Sequence, residues 1–140
     1  MTARYDLEVF AGTDETVVFE LVTVDQAALD VAGSTFVARL VAAGELVGEA
    51  ALTPIEADRA AVLEWRIDRE TTAALAERAM LAQRIAYRLD RETADGRLRT
   101  YAHGAVNATS PAGGVRARSA THDTAVRDKP TTIRLTIDVE

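Results

Sequence analysis

Few residues in this 140-residue chain could do chemistry, and their spacing decides what they could do. The two histidines, His103 and His122, stand 19 positions apart, and neither has a carboxylate cluster beside it to orient a ring or hold a metal. We read both as surface residues and expect no metal site. Asp90, Glu92 and Asp95 gather carboxylates around one turn, but they lack the dense run of oxygen ligands that a calcium loop uses, so they read as turn solvation. Ser34, Ser110 and Ser119 sit in no G-x-S-x-G turn, and no motif places a histidine as their base. Gly113-Gly114 is too short for a phosphate loop and reads as a hinge. Asn107-Ala108-Thr109 fits the glycosylation pattern, which is idle without secretion. Glu56 with Asp58 reads as solvated loop charge. Trp65 and Tyr101 could stack on a sugar, though aromatics make up only 5% of residues and a sugar platform needs several on one face. No catalytic, cofactor or metal-binding residue emerges, and we expect a chain that is not an enzyme and takes no cofactor.

Composition narrows the remaining classes. With 48% apolar residues the chain has the make-up of a globular protein, and its length fits one domain. The absence of cysteine excludes disulfides, thiolate metal sites and thiol nucleophiles. A net charge of −6 opposes contact with phosphate backbones, and no basic patch interleaves with aromatics, so nucleic acid is not an expected partner. The start Met1-Thr2-Ala3-Arg4-Tyr5-Asp6 reaches charge at once, which reads as no secretory signal, and no apolar run approaches membrane-spanning length. A cytoplasmic site of synthesis is the expectation, which leaves the final address open. Lys129 is the only lysine among many arginines, a bias that fits a GC-rich bacterial or phage genome.

Alternation of apolar and polar residues is the main structural signal, and it predicts strands. Tyr5, Leu7 and Val9 alternate with Asp6 and Glu8 as far as the turn Ala11-Gly12-Thr13-Asp14. Val17, Phe19 and Leu21 then line one face of a strand over 15–24, with Val18, Val22 and Val24 on the other. Two apolar faces mark a central strand or one that also meets a partner. Phe36, Ala38 and Leu40 form a core face, Gly44 turns the chain, and a strand over 45–52 returns as a hairpin. After Pro54 a loop is expected, then Ala61, Leu63, Trp65 and Ile67 alternate with Trp65 in the core. Asp68 caps a predicted helix over 69–79. Ile85, Tyr87 and Leu89 lead to the turn Ala94-Asp95-Gly96, and Leu98, Thr100, Ala102, Gly104 and Val106 carry the return strand.

From Ser110 to Pro130 alternation stops, and the segment reads as an extended arm. Arg116, Arg118, Arg127 and Lys129 against Asp123 and Asp128 leave the arm at +2, and the rest of the chain at −8. Ile133, Leu135, Ile137 and Val139 then define a last strand. The predicted fold is an all-β antiparallel immunoglobulin-like sandwich over 1–109, followed by an arm over 110–140 that ends in a strand. That strand either closes its own sandwich or adds to another subunit. Val18, Val22 and Val24, together with Ile133, Leu135, Ile137 and Val139, are the candidate oligomer contacts.

Several short segments also occur in a suggestive order. Gly12-Thr13-Asp14 feeds a strand, and Ala32-Gly33-Ser34-Thr35-Phe36-Val37-Ala38 opens another. Thr71-Thr72-Ala73-Ala74-Leu75, Ile85-Ala86-Tyr87-Arg88-Leu89, Asp95-Gly96-Arg97 and Tyr101-Ala102-His103-Gly104-Ala105-Val106 follow. Over residues 8–108 this resembles the small immunoglobulin-like sandwich of phage tail and baseplate proteins, and is similar to the N-terminal domain of baseplate upper proteins. Two departures from that pattern stand out. Thr13-Asp14 reverses the order usual after the glycine, and Leu81-Ala82-Gln83 stands where a glycine would precede the tyrosine strand. The resemblance implies a virion structural protein that acts through contacts with its own copies and other virion proteins, with no catalytic residues. The rival classes are a capsid decoration or head-tail joining protein and a carbohydrate-binding adhesion module.

Overall fold

Period-two alternation puts every second side chain on one face of a strand, so a segment alternating apolar with polar residues needs a second layer to cover its apolar side. A computed structural model describes residues 2–56, 60–109 and 131–137, and in it the alternating segments meet in this way. In chain order the strands are β1 (Ala3–Arg4), β2 (Leu7–Phe10), β3 (Glu15–Thr23), β4 (Thr35–Ala42), β5 (Glu45–Leu52), β6 (Ile55–Glu56) and β7 (Ala61–Ile67). The helix α1 (Arg69–Met80) follows, then β8 (Ile85–Glu92), β9 (Leu98–Thr109) and β10 (Thr131–Ile137). One sheet runs β9-β8-β4-β5, with β1 and β2 both pairing with β9; the other runs β10-β3-β7-β6. Phe19, Leu21, Leu63 and Trp65 of the second sheet join Phe36, Leu40, Tyr87 and Leu89 of the first in one hydrophobic cluster. The protein is therefore all-β with a single short helix among the described residues.

Both sheets are mixed, which corrects the expectation of a purely antiparallel arrangement. β1 and β2 run parallel to β9, and β10 runs parallel to β3, while the other pairings are antiparallel. Alternation specifies the face a residue occupies and leaves strand direction open. A tight hairpin forces antiparallel pairing, as at β4–β5 and β8–β9, whereas the parallel partners lie about 100 residues apart and have no such constraint. The loop expected after Pro54 contains the short strand β6 on the edge of β7.

A β-bulge overturns a second expectation. Leu89 is registered with Ala102 but Asp90 with Thr100, so Tyr101 is an extra residue and the faces of β9 exchange there. Leu98, expected on the same face as Ala102 and Val106 and opposite Tyr101, is 63% exposed, while Tyr101 is buried. The Arg91 guanidinium lies 5.8 Å from the centre of the Phe36 ring and 5.9 Å from that of Tyr101. It donates to Ser34 Oγ, Tyr101 Oη and the Asp30 carbonyl, tying the 30–34 loop to the end of the sheet. On the opposite face of β8, Asp90 is buried and accepts from Arg39 Nη1 at 2.5 Å, Arg88 Nε at 2.9 Å and Thr100 Oγ1 at 2.7 Å. Three charge-assisted or hydroxyl donors satisfy this carboxylate, which would otherwise be costly to bury.

The helix locks the point where the chain turns from β2 into β3. Asp68 Oδ1 accepts from the Thr71 amide at 2.8 Å, and these bonds to Thr71 hold the Asp68 carboxyl below the usual carboxylate range. Asp14 accepts from the Arg69 amide at 2.8 Å, and buried Thr72 donates to the Thr13 carbonyl and accepts from the Gly12 amide. Near the other end of β2, the Tyr87 hydroxyl donates to the Tyr5 carbonyl at 2.6 Å, and burial raises this phenol to about 12. The Tyr5 backbone lies so close to Gly104 that a Cβ there would overlap its carbonyl.

Candidate assembly interface

Among the residues expected to contact other subunits, Val18 and Val22 of β3 and Ile133, Leu135 and Ile137 of β10 lie on two neighbouring strands of the four-stranded sheet. β3 directs Val17, Phe19 and Leu21 into the core and pairs on one side with β7 through Val17–Trp65, Phe19–Leu63 and Leu21–Ala61. Its other side is covered by β10 in an unbroken register from Thr131–Val17 to Ile137–Thr23. Because the pairing is parallel and in phase, Ile133 lies beside Phe19 and Leu135 beside Leu21, and both are at least 95% buried. Covering two such side chains contributes about 1.5–3 kcal/mol each. On the outer face Arg134 Nη1 lies 3.3 Å from Glu20 Oε1, and Nη2 donates to Gln26 Oε1 at 3.1 Å. This exposed pair adds about 1 kcal/mol at most and serves mainly to hold the register.

The three valines on the second face of β3 do not form one surface. Val18 is half-buried beside Thr132, and Val24 lies beyond the strand and is 56% exposed. Val22 is fully enclosed by its own chain, because residues 27–29 fold back along β3. A bridge joins Val22 to Ala28, and backbone bonds run from Thr23 to Ala27 and from Leu29 to Leu21. Ile133, Leu135 and the half-buried Ile137 pack with β3 of the same chain, and Val139 lies outside the described residues. The mostly apolar run around Val22 in the sequence gave no sign of the fold-back; the cue was the polar turn at Asp25-Gln26, where Gln26 adopts φ 63°.

The sheet edges differ in how they resist addition of another strand. β5 carries Glu45 and Glu49 and a register shift opposite Leu40/Val41, β6 is two residues long, and β1 and β2 are short. Bulges, charges and brevity are the usual protections of an edge. β10 has seven residues in regular register with a single charge, Arg134, and its outer edge pairs with no strand among the described residues.

The candidate chemical groups are dispersed. Asp90 is engaged by two arginines, Glu92 is exposed, and Asp95 accepts from the Thr93 hydroxyl in its own turn, which holds the Asp95 carboxyl low. His103 is half-buried on β9, and Ser34 Oγ is taken by Arg91. Trp65 and Tyr101 are both buried, which removes them as a sugar platform. Glu56 is exposed on β6, and Asn107, Ala108 and Thr109 pair with β2. Asp58, Ser110, Gly113, Gly114, Ser119 and His122 lie outside the described residues. No three His, Asp or Glu side chains converge among the described residues, and no helix there is long and apolar enough to cross a membrane.

Among the described residues these features define an all-β protein of two mixed sheets around one core, with one short helix and the strand β10 completing the smaller sheet. No family model, curated protein or solved structure matches the chain.

Proposed function

We propose that this chain is a non-enzymatic structural subunit of a virion, placed in a phage tail or baseplate, and that it works through contacts with further copies of itself and with other virion proteins. The observation that carries this reading is β10, a regular strand from the C-terminal arm that completes one sheet and whose outer edge pairs with no strand among the described residues. A sheet edge of this kind favours pairing with another chain through main-chain hydrogen bonds.

The finer fold in this proposal is an immunoglobulin-like sandwich. The order β9-β8-β4-β5 corresponds to strands G-F-C-C′ of a variable-type domain, and β3-β7-β6 to B-E-D, with α1 on the E–F connection. β10 takes the place beside B that strand A fills in such domains, but runs parallel to it. The assignment to a tail or baseplate rests on the resemblance of the turn motifs, with Gly12-Thr13-Asp14 at the β2–β3 crossing and Asp95-Gly96 at the β8–β9 turn. The virion is the proposed location, with no nucleic acid, membrane or cofactor involved.

Size-exclusion chromatography with light scattering on the full chain is expected to report a multimer at micromolar concentration. A monomer from micromolar to near-millimolar concentration would contradict assembly through self-contacts.

A further inference from the structure

We propose that β10 is exchanged between copies, so that the β10 of one chain lies on the β3 of a neighbouring copy in the parallel register described above. This inference rests on the assembly reading and names the contact that would carry it.

Thr109 at the end of β9 is registered with Phe10, and Thr131 at the start of β10 with Val17, so both ends of the intervening chain are anchored within seven positions of one another along the β2–β3 crossing. At roughly 3.3–3.6 Å per residue, plus two inter-strand spacings, the anchors stand no more than about 35 Å apart. The 21 residues 110–130 can span about 70 Å. The surplus of about 35 Å is comparable to the width of a domain of this size, whose radius of gyration is about 14 Å. A connection of that length is long enough to reach the β3 of an adjacent copy.

Exchange sacrifices nothing in the docked strand. Ile133 beside Phe19, Leu135 beside Leu21 and Arg134 beside Glu20 are the same neighbours whichever copy supplies β3. Charge also favours exchange, since residues 110–130 carry +2 and the remainder −8. An exchanged arm passes a cationic segment from one acidic body to the next, which offsets the repulsion between like-charged copies.

The chain contains no cysteine, so an engineered pair reports the contact without background. Val18 and Thr132 are registered partners on the outer face, within the Cα separation a disulfide accepts. Full-length Val18→Cys and Thr132→Cys chains with different tags are co-expressed and oxidised. A covalent heterodimer whose linked peptides join position 18 to position 132 is the expected main product. The double variant is expected to yield covalent multimers. No heterodimer, with the double variant closing within single chains, would overturn the exchange. If light scattering still reports a multimer in that case, assembly proceeds through other contacts of the chain with its copies; a monomer removes both the exchange and assembly through self-contacts, and leaves contacts with other virion proteins as the remaining reading. Glu20→Cys with Arg134→Cys, a second registered and partly exposed pair, gives the same readout if the first pair folds poorly.

Discussion

Leu135→Ala is expected to destabilise the protein by about 2–5 kcal/mol, the range for removing a buried leucine from a packed core. Leu135 is 3% exposed, lies beside Leu21 and belongs to the main hydrophobic cluster, so the lost side chain leaves a void that its neighbours fill only in part. A domain of this kind is typically stable by about 5–15 kcal/mol, and the loss is therefore a large share of the total. Urea unfolding followed by circular dichroism measures it, and the exposed neighbour Thr136→Ala, expected within about 0.5 kcal/mol of the parent, is the control. If β10 is held by a second copy, the unfolding midpoint also rises with protein concentration, as mass action requires. An unchanged midpoint in Leu135→Ala would mean that β10 does not contribute to the core.

Gly104→Ala is expected to cost about 3 kcal/mol, although it adds one methyl group. The added Cβ would overlap the Tyr5 carbonyl, which is backbone and cannot rotate aside, so the segment joining β1 and β2 must move. That displacement breaks the bond from the Tyr87 hydroxyl to Tyr5, which gives the substitution a spectroscopic signature. Burial raises the Tyr87 phenol to about 12, with the nearby Asp6 charge adding to the effect. The fold thus favours the neutral phenol: its contribution is complete below about pH 10, where an unfolded tyrosine begins to ionise, and is lost as pH rises through about 12. Absorbance titration of the parent should show one phenol ionising near 12 that disappears in Tyr87→Phe. In Gly104→Ala that late ionisation should move down. A late phenol unchanged in Gly104→Ala would show that the Tyr5 backbone had not shifted.

Much of the architecture was legible because alternation is a local signal. β3, β4, β5, β7, β8 and β9 fall where apolar residues recur every second position, and the helix starts where Asp68 offers a carboxylate to free amides. What alternation leaves open is direction and partner. Nothing in the runs Leu7-Val9 or Ile133-Leu135 distinguishes parallel from antiparallel pairing, so the mixed sheets emerge only in three dimensions. The bulge at Tyr101 is hidden for a related reason: one inserted residue reverses the faces of β9, and Leu98 trades places with Tyr101 without any change in composition. The candidate interface was legible in part. Ile133, Leu135 and Ile137 stand out as a regular strand in need of an edge, and the structure supplies that edge on β3. Val22 reads as an outward-facing residue, but residues 27–29 enclose it, and a fold-back of that kind depends on tertiary contacts that neighbouring residues do not encode.

If this chain is a structural part of a virus particle, as proposed, density-gradient fractionation of particles from the producing cells, with mass spectrometry of each fraction, will find it there. The expected result is the chain at fixed stoichiometry in fractions that contain assembled tails. Recovery only among free proteins, with none in any particle fraction, would contradict it.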